Sequence, residues 1–422
     1  MNTNYGFVEK LIARSLTRFP LAKSIAKDIY ARVVYFKNKR AYRYKTENEL
    51  KVISLPEEET FFGYYDKSPT SEGGFLLCHA SKLRTSGLPS SDKKIDVCLF
   101  SSEGDLLLRV PTSAYNWQQG SRTHWLNDDL FIFNDFDMER RTYISRVYSQ
   151  RLLKEVKIFP FPVQDSYGTE YFISLNYRRL DTLRPDYGYR NLPKMTNSEL
   201  RENLDKDGLW KVKFSSGEVE LVYSLSDILK VDYIEIFEKA IHKVNHVMIS
   251  PGGDKFVFLH RYFINNRRYD RLMLADAVKG AIKVLVSYEM VSHYSWVGKD
   301  KLLVYMRGPH GVDSYYWLDV YTGNIIQIKD ALLSRYGDGH PHAAEDFFVT
   351  DTYPDKARMQ HLILSNIKTE KSIHLGEFFH GFEYKGESRC DLHPRLAHDR
   401  RKVFFDSVQD GKRKLCFVEL TL

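Results

Sequence analysis

The sequence lacks the motifs of several common enzyme classes. No GxSxG elbow, Walker loop, GxGxxG fingerprint or HExxH pair occurs in its 422 residues, so hydrolase, nucleotide and zinc-peptidase chemistries have no motif support. Cysteine is also scarce, and the four cysteines form no CxxC pair. Such scattered cysteines are typical of buried thiols in a reducing compartment and exclude a disulfide framework or a cysteine-based zinc site. They are Cys78, Cys98, Cys390 and Cys416.

Long apolar runs are missing from the N-terminal part of the chain. Charged residues interrupt the stretch from Phe7 to Leu16, which therefore lacks the continuous apolar core of a secretory signal. No run in this part reaches the length that spans a bilayer. We therefore expect a cytoplasmic protein.

Positive charge is concentrated at the N-terminal end. Residues 1–45 contain eleven Lys or Arg residues against Glu9 and Asp28, a net charge of +9, whereas the whole chain carries +7. The remaining residues carry about −2, so the body of the protein is not basic and is not expected to bind nucleic acid.

The basic segment has helical periodicity. Ile25, Ile29, Val33 and Phe36 form one apolar stripe with Lys and Arg around it. This predicts a basic amphipathic helical arm over residues 1–48. Two interpretations remain open, one in which the arm packs on the body and one in which it makes a peripheral contact with anionic lipid at the inner membrane surface.

Aromatic residues are abundant, and the 28 Tyr and 26 Phe favour strands. A polar or histidine-bearing segment, a short loop and an apolar strand recur in seven copies, the last four spaced at roughly the 40–50 residues of a propeller blade. The copies begin near Tyr64, Arg122, Gly168, His246, His293, His340 and His393. The sequence therefore predicts an all-β fold, a seven-bladed β-propeller over residues 49–422 that follows the helical arm. A β-sandwich, the main competitor, would not give seven copies in register.

One irregular stretch interrupts the pattern. The polar residues between 178 and 206 look like a long loop inserted into the third unit. Such loops on a propeller usually cover or flank the central funnel.

In a propeller the innermost strand of each blade lines the central channel. The residues expected to begin these strands, here called the inner-strand positions, are Tyr64, Arg122, His246, His293, His340 and His393. Two residues further on, facing the same way, come Asp66, His124, Met248, Ser295, His342 and Arg395. Four neighbouring blades would thus direct histidines at one axis.

These residues also have a purely structural interpretation. Histidines at blade entrances can simply hydrogen-bond neighbouring strands, and His393 could orient Asp391 or Asp406. Arg261 and Arg307 are either solvated or paired, or they meet an anionic ligand.

A cluster of His, Arg and Tyr suits elimination across the C4–O bond of a uronic acid. The weakly acidic C5 proton can leave only if the neighbouring carboxylate is neutralised by a metal or an arginine. A neutral histidine can then serve as the base near its own pKa. A propeller funnel allows metal, base and arginine to converge on one sugar.

From about residue 242 to the C terminus, the chain resembles the seven-bladed oligogalacturonate lyases, a polysaccharide lyase family. The resemblance is carried by His246, the Ser292-His293 pair, His340-Pro341-His342 and His393-Pro394. It implies that His246 is the base and that His293, His340 and His342 hold a manganese ion.

The chain departs from the family at one metal ligand. The family has a glutamine three residues before the paired histidines, where this chain has Gly337. The neighbouring Asp338 could supply an oxygen ligand instead, because manganese accepts mixed nitrogen and oxygen ligation.

We therefore predict His246, Arg261 and Tyr64 as catalytic residues. The predicted metal ligands are His293, His340, His342 and Asp338. The predicted substrate-binding residues are Arg122, His124, Arg307, His393 and Arg395.

Two functional hypotheses follow from this arrangement. The first is a lyase that cleaves a uronate-containing oligo- or polysaccharide by β-elimination, with a divalent metal, Mn²⁺ by resemblance. The second is a non-catalytic propeller that scaffolds partners or binds glycan in a polysaccharide pathway. A scaffold does not require histidines that converge in the channel.

Overall fold

Seven antiparallel sheets make up the body of the protein in the computed structural model, which describes residues 20–265 and 267–420. Six sheets have four strands and one has five. The predicted seven-bladed β-propeller is confirmed.

The strands run from the inside to the outside of each blade. Two short strands come first, β1 (Tyr44–Thr46) and β2 (Lys51–Ile53). Blade 1 contains β3 (Glu59–Phe61), β4 (Leu76–Ser81), β5 (Ile95–Phe100) and β6 (Leu106–Thr112). Blade 2 contains β7 (His124–Trp125), β8 (Leu130–Asp137), β9 (Thr142–Ser149) and β10 (Lys154–Phe159). Blade 3 contains β11 (Asp165–Tyr167), β12 (Tyr171–Leu175), β13 (Gly208–Lys213) and β14 (Val219–Ser224).

The remaining blades carry the four histidines of the inner-strand positions. Blade 4 contains β15 (Ile241–Ile249), β16 (Lys255–Ile264), β17 (Arg267–Asp276) and β18 (Ile282–Val286). Blade 5 contains β19 (Val291–Val297), β20 (Lys301–Arg307), β21 (Asp313–Asp319) and β22 (Ile325–Gln327). Blade 6 contains β23 (His342–Ala343), β24 (Phe347–Thr350), β25 (Met359–Asn366) and β26 (Lys371–Phe379). Blade 7 contains β27 (Arg395–Leu396), β28 (Lys402–Ser407) and β29 (Lys414–Glu419).

The first two strands close the ring. β2 pairs with β29 as the outermost strand of blade 7, and β1 pairs with β26 as a fifth strand of blade 6. β1 precedes the boundary predicted between residues 48 and 49, so the sheets begin upstream of it. The Asp406 carboxylate reinforces the closure because it accepts the backbone N–H groups of Phe62 and Gly63 at 3.0 and 2.9 Å.

The core lies between the faces of neighbouring blades. Between blades 4 and 5, for example, Leu259 and Leu272 pack with Tyr294 and Trp296. Period-two alternation places such residues on the blade faces, where their burial is the main stabilising contribution. The four cysteines are buried, and none forms a disulfide.

Short helices occupy several connections. The stretch predicted as an inserted loop lies between β12 and β13 and contains α2 (Tyr177–Leu183) and α3 (Asn197–Arg201). α4 (Leu225–Lys230) follows β14, and α5 (Ala331–Tyr336) follows β22. Turns of 3₁₀ helix span Glu235–Lys239 and Gly386–Ser388.

The predicted basic arm contains one long helix, α1 (Pro20–Asn38). Tyr35 attaches it to the propeller, with its ring centroid 5.7 Å from that of Phe379 and 5.5 Å from that of Phe382. The part of the arm before residue 20 lies outside the described residues, and so does the side chain of Ile25. None of the helices described is both long enough and apolar enough to cross a membrane.

Candidate functional site

A large cavity opens on the face formed by the β12–β13 and β20–β21 connections and by the connections that precede β23 and β27. Its volume is about 1070 Å³. The cationic residues that line it are Arg184, Arg261, Arg268, Arg307, Arg335 and Arg389, whereas Asp313 and Asp338 are the acidic ones. This excess of positive charge favours anionic ligands.

Histidines from four adjacent blades meet beside the cavity, and two of them, His246 and His293, line it. The ring centroids of His293 and His340 are 4.1 Å apart, and those of His340 and His393 are 4.3 Å apart. The His246 ring lies 6.0 Å from that of His293, and both of these residues line the cavity. The Tyr65 ring centroid lies 5.8, 5.6 and 6.1 Å from those of His293, His340 and His393. The four histidines of the inner-strand positions are thus brought together.

The backbone at these positions has an unusual conformation. Arg122, His246 and His393 have positive φ angles of 58°, 54° and 44°, in the left-handed region that side chains other than glycine seldom adopt. In blade 4 this coincides with a shift of strand register between Asn245 and Met248. Such a bulge re-aims a side chain, and here the His246 side chain lines the cavity.

Two histidines and one carboxylate form a group that could hold a metal ion. Ligand-type atoms of His340, Asp391 and His393 all lie within 4.8 Å of one another. The His340 Nδ1–H donates to Asp351 at 2.8 Å, and the His393 Nδ1–H donates to the Gly63 carbonyl at 2.9 Å. Both Nε2 atoms are buried without a hydrogen-bond partner among the described residues, and each carries a free lone pair when its ring is neutral. Burial opposes protonation of His340, but the Asp351 carboxylate outweighs it and raises the pKa of this histidine. Imidazoles oriented in this way by a second hydrogen bond are typical of metal ligands, so the residues fit a divalent cation.

This group differs from the predicted set of ligands. Only His340 belongs to both, and His393, which was predicted to bind substrate, takes part together with Asp391. His342 instead donates its Nδ1–H to the Tyr65 carbonyl at 2.6 Å. Metal binding by any of these residues stays a prediction.

His293 lies between this group and the cavity. Its Nδ1 is 3.3 Å from Asp338, whose other carboxylate oxygen accepts the Ser292 hydroxyl at 2.6 Å. Burial, with the neighbouring His340 adding to it, lowers the pKa of His293 to about 4. Burial also lowers the pKa of His342 to about 4. Both rings are therefore neutral near pH 7 and retain a lone pair.

His246 is held by the predicted catalytic residue Tyr64. Its Nε2 lies 2.5 Å from the Tyr64 hydroxyl, and its Nδ1 is buried without a hydrogen-bond partner in the described structure. Burial, and next the charge of Arg261, lowers the pKa of His246 well below its ordinary value. The ring is neutral at physiological pH, as a general base requires.

The two remaining predicted residues of the cavity wall are paired arginines. Nε of Arg261 lies 2.9 Å from Oδ1 of Asp270. The same oxygen forms a second ion pair with Nε of Arg268, at 3.2 Å. Arg307 is partly exposed and pairs with Asp313 at 2.9 Å. One carboxylate shared between Arg261 and Arg268 leaves excess positive charge for a ligand.

Three predicted substrate-binding residues contact other parts of the protein instead. Arg122 forms a bidentate pair with Asp66 at 3.0 and 2.8 Å, and the His124 Nδ1–H donates to the Arg122 carbonyl at 2.8 Å. Arg395 pairs with Asp406 at 2.7 Å. All three are buried and none lines the cavity, an arrangement that favours a structural role.

Several residues of the site are not among those predicted from the sequence. Asp391 lies two residues before His393. Because side chains two residues apart in an extended segment point to the same side, the sequence could have indicated that these two lie together. Asp351 could not have been found in this way, because its contact with His340 joins the two ends of the β23–β24 hairpin, outside both strands. The arginines missed were Arg184, Arg268, Arg335 and Arg389.

Solved structures share this fold over most of the chain. An oligogalacturonate lyase in complex with manganese superposes with a TM-score of 0.60 and 16% identity, covering 90% of this chain and 95% of its own. The oligogalacturonate lyase of Vibrio parahaemolyticus superposes with a TM-score of 0.58 and 13% identity, covering 89% and 96%. No protein-family model and no curated protein matches the chain. At these identities the likeness establishes the fold, and this chain is a seven-bladed β-propeller of the kind that the oligogalacturonate lyases have, as the resemblance implied.

Proposed function

We propose that the protein is a carbon–oxygen lyase that cleaves a uronate-containing oligo- or polysaccharide by β-elimination. The observation that carries the proposal is the position of His246. This neutral histidine has an Nδ1 without a hydrogen-bond partner among the described residues, and it lines a cavity that six arginines also line. The solved lyases of the same fold support the assignment of an oligosaccharide substrate.

Each step of the reaction has a group in the cavity. With its Nε2–H donated to the Tyr64 hydroxyl, His246 uses the Nδ1 lone pair to take the C5 proton. The electron pair of that C–H bond forms the C4–C5 double bond, and the C4–O bond breaks with its electron pair passing to the leaving oxygen. Water in the open cavity protonates this oxygen. Arg261 faces the uronate carboxylate and stabilises the charge that develops when C5 loses its proton.

The same proposal assigns the metal ligands. His340, His393 and Asp391 would hold a divalent cation, for which Mn²⁺ is the proposed metal because the oligogalacturonate lyase of this fold was solved with manganese. When bound, such a cation neutralises the substrate carboxylate and lowers the barrier to deprotonation at C5. The Asp351 carboxylate accepts the His340 Nδ1–H, which would leave Nε2 as the ligand atom.

The direct test offers the purified protein a panel of acidic saccharides with Mn²⁺ present. The panel contains oligogalacturonates and oligosaccharides of other uronic acids, and the unsaturated product is followed by its ultraviolet absorbance. Formation of an unsaturated uronate that is abolished in a His246→Ala variant supports the proposal.

A binding measurement on the same panel distinguishes the non-catalytic alternative. Tight binding of an acidic saccharide that is recovered uncleaved would indicate a glycan-binding propeller. Absence of both cleavage and binding across the panel would reject an acidic saccharide as the ligand.

A further inference from the structure

We propose that helix α1 docks the protein on the surface of an anionic lipid bilayer. The proposal concerns the face of this helix that does not contact the propeller. It does not depend on the lyase activity.

The helix is fixed to the propeller along one side. Tyr35 packs in a small cluster with Ala357, Met359 and Phe379. The guanidinium of Arg32 lies 4.8 Å from the ring centroid of Phe382. Asp28 adds an exposed ion pair with Lys385 at 3.3 Å. The orientation of α1 relative to the blades is therefore set by contacts of its own side chains.

This attachment leaves the predicted apolar stripe in solvent. Ile29, Val33 and Phe36 are 58%, 48% and 67% exposed. At 3.6 residues per turn they lie about 100–160° around the helix from Tyr35. Packing on the propeller therefore does not account for the stripe, and apolar residues grouped in this way mark an interaction surface.

The charge around the stripe favours an anionic bilayer as the partner. Lys37 lies beside it in the last turn of α1, and Lys39 and Arg40 follow the helix, all of them exposed. An apolar face bordered by Lys and Arg is the pattern of helices that lie in the plane of a membrane interface, where cations meet acidic headgroups. Such docking requires no membrane-spanning helix.

The helix and the cavity lie on the same face of the propeller. Ala357, under the helix, shares the β24–β25 connection with Tyr353, which lines the cavity. Phe382 shares the β26–β27 connection with Arg389, another lining residue. Docking through α1 would therefore hold the cavity mouth beside the bilayer, within reach of a saccharide carried at its surface.

Vesicle sedimentation with the full-length chain tests the proposal. We expect wild-type protein to sediment with vesicles that contain phosphatidylglycerol and to dissociate from them at high salt. It should not sediment with vesicles of phosphatidylcholine alone. An Ile29→Ser, Val33→Ser, Phe36→Ser triple variant should bind on the order of tenfold less. The matched control replaces three exposed apolar residues on the propeller, Met138→Ser, Leu152→Ser and Val278→Ser, and should bind like wild type.

Three results would contradict docking of α1 on an anionic bilayer. Binding by the helix variant that equals that of wild type, or no binding by wild type, would overturn the proposal. Dimerisation that depends on the stripe, without vesicle binding, would assign the face to a second copy of the chain instead. A Phe36→Trp variant gives an independent readout, because its emission should shift to shorter wavelength on anionic vesicles. An unchanged emission would also count against docking.

Discussion

The hydroxyl of Tyr64 lies 2.5 Å from Nε2 of His246, although the two residues are 182 positions apart in the chain. The contact joins the connection after β3 to the inner strand of blade 4. The Tyr294 hydroxyl donates to the backbone carbonyl of His246 from blade 5. Blade 1 thus holds the imidazole and blade 5 holds its backbone, and Nδ1 has no hydrogen-bond partner among the described residues.

The first prediction concerns this histidine. Replacement of His246 by Ala should reduce kcat for formation of the unsaturated product by about 10²–10⁴-fold, the usual contribution of a general base. Metal content should not change, because His246 lies outside the converging group of His340, Asp391 and His393. Product absorbance and elemental analysis measure the two quantities on the same samples.

A Tyr64→Phe variant separates positioning from proton removal. It keeps the ring and deletes the partner of Nε2, so kcat should fall less than in His246→Ala and its pH profile should shift. Metal loss from the His246 variant would identify His246 as a ligand, and full activity would dismiss it as the base.

The second prediction distinguishes the two sets of metal ligands. Because ligand-type atoms of His340, Asp391 and His393 lie within 4.8 Å of one another, His340→Ala and His393→Ala should each abolish binding of Mn²⁺. His342→Ala should retain it, because the Nδ1–H of this residue donates to the Tyr65 carbonyl. The readouts are bound manganese and the rise in Tm on adding Mn²⁺, which follows from binding to the folded state alone.

His342→Ala serves as the control because it removes a partly buried imidazole two residues from His340. Loss of manganese from His342→Ala, with retention in His393→Ala, would restore the set implied by the family resemblance. An unchanged Tm in wild type would show that no manganese binds to the folded protein.

Much of the fold could be predicted from the sequence because propeller blades are local units. Each repeated unit of the sequence forms two neighbouring strands of one sheet. The unit that begins at His246, for example, contains the end of β15 and the strand β16 that pairs with it. The ring geometry then brings residues at equivalent positions to one axis. For this reason four histidines spaced along the last four copies meet in space.

The partners of these residues could not be predicted in the same way. Asp66 and Arg122 pair across 56 residues, and Arg395 reaches the Gly63 carbonyl across 332. Such contacts depend on how one blade is placed against the next, which residue spacing does not encode. The side of α1 that packs on the propeller could not be predicted either. Tyr35 makes that contact, and it lies outside the apolar stripe.

The third prediction contrasts a buried arginine with an exposed one. Arg395 and Asp406 form a fully buried pair at 2.7 Å that joins blade 7 to blade 1. Arg395→Met would leave the buried Asp406 carboxylate without its cationic partner. We expect this variant to lower the free energy of unfolding by about 3–5 kcal/mol. Arg307→Met removes a partly exposed pair and should change stability by less than about 1 kcal/mol.

The effects of the same two variants on KM should be in the opposite order to their effects on stability. Arg307 lines the cavity, so its replacement should raise KM, whereas the folded fraction of Arg395→Met should keep the wild-type KM. Denaturant unfolding and initial rates provide the two measurements. A raised KM for Arg395→Met without loss of stability would return Arg395 to the substrate-binding residues.

The last prediction concerns Asp181 in α2, which lies in the insertion that brings Arg184 and Tyr187 to the cavity. Its Oδ1 is buried without a hydrogen-bond partner in the described structure, and the backbone of Gly188 packs against it so closely that a Cβ there would lie 2.2 Å from the Asp181 Cα. Burial raises the pKa of Asp181 from 3.8 to about 6. The folded state therefore takes up this proton at a higher pH than the unfolded state does.

The sign of the pH effect follows directly. Above about pH 6 the buried charge costs about 2–3 kcal/mol of stability, the cost shrinks as pH falls from 6 to 4, and it vanishes below the unfolded pKa. Asp181→Asn should therefore be more stable than wild type at pH 8, and the two should converge near pH 4. Asp205→Asn, which replaces an exposed carboxylate at the end of the same insertion, should follow wild type throughout. Thermal unfolding across this pH range measures the difference, and a gap that widened towards low pH would contradict the assignment.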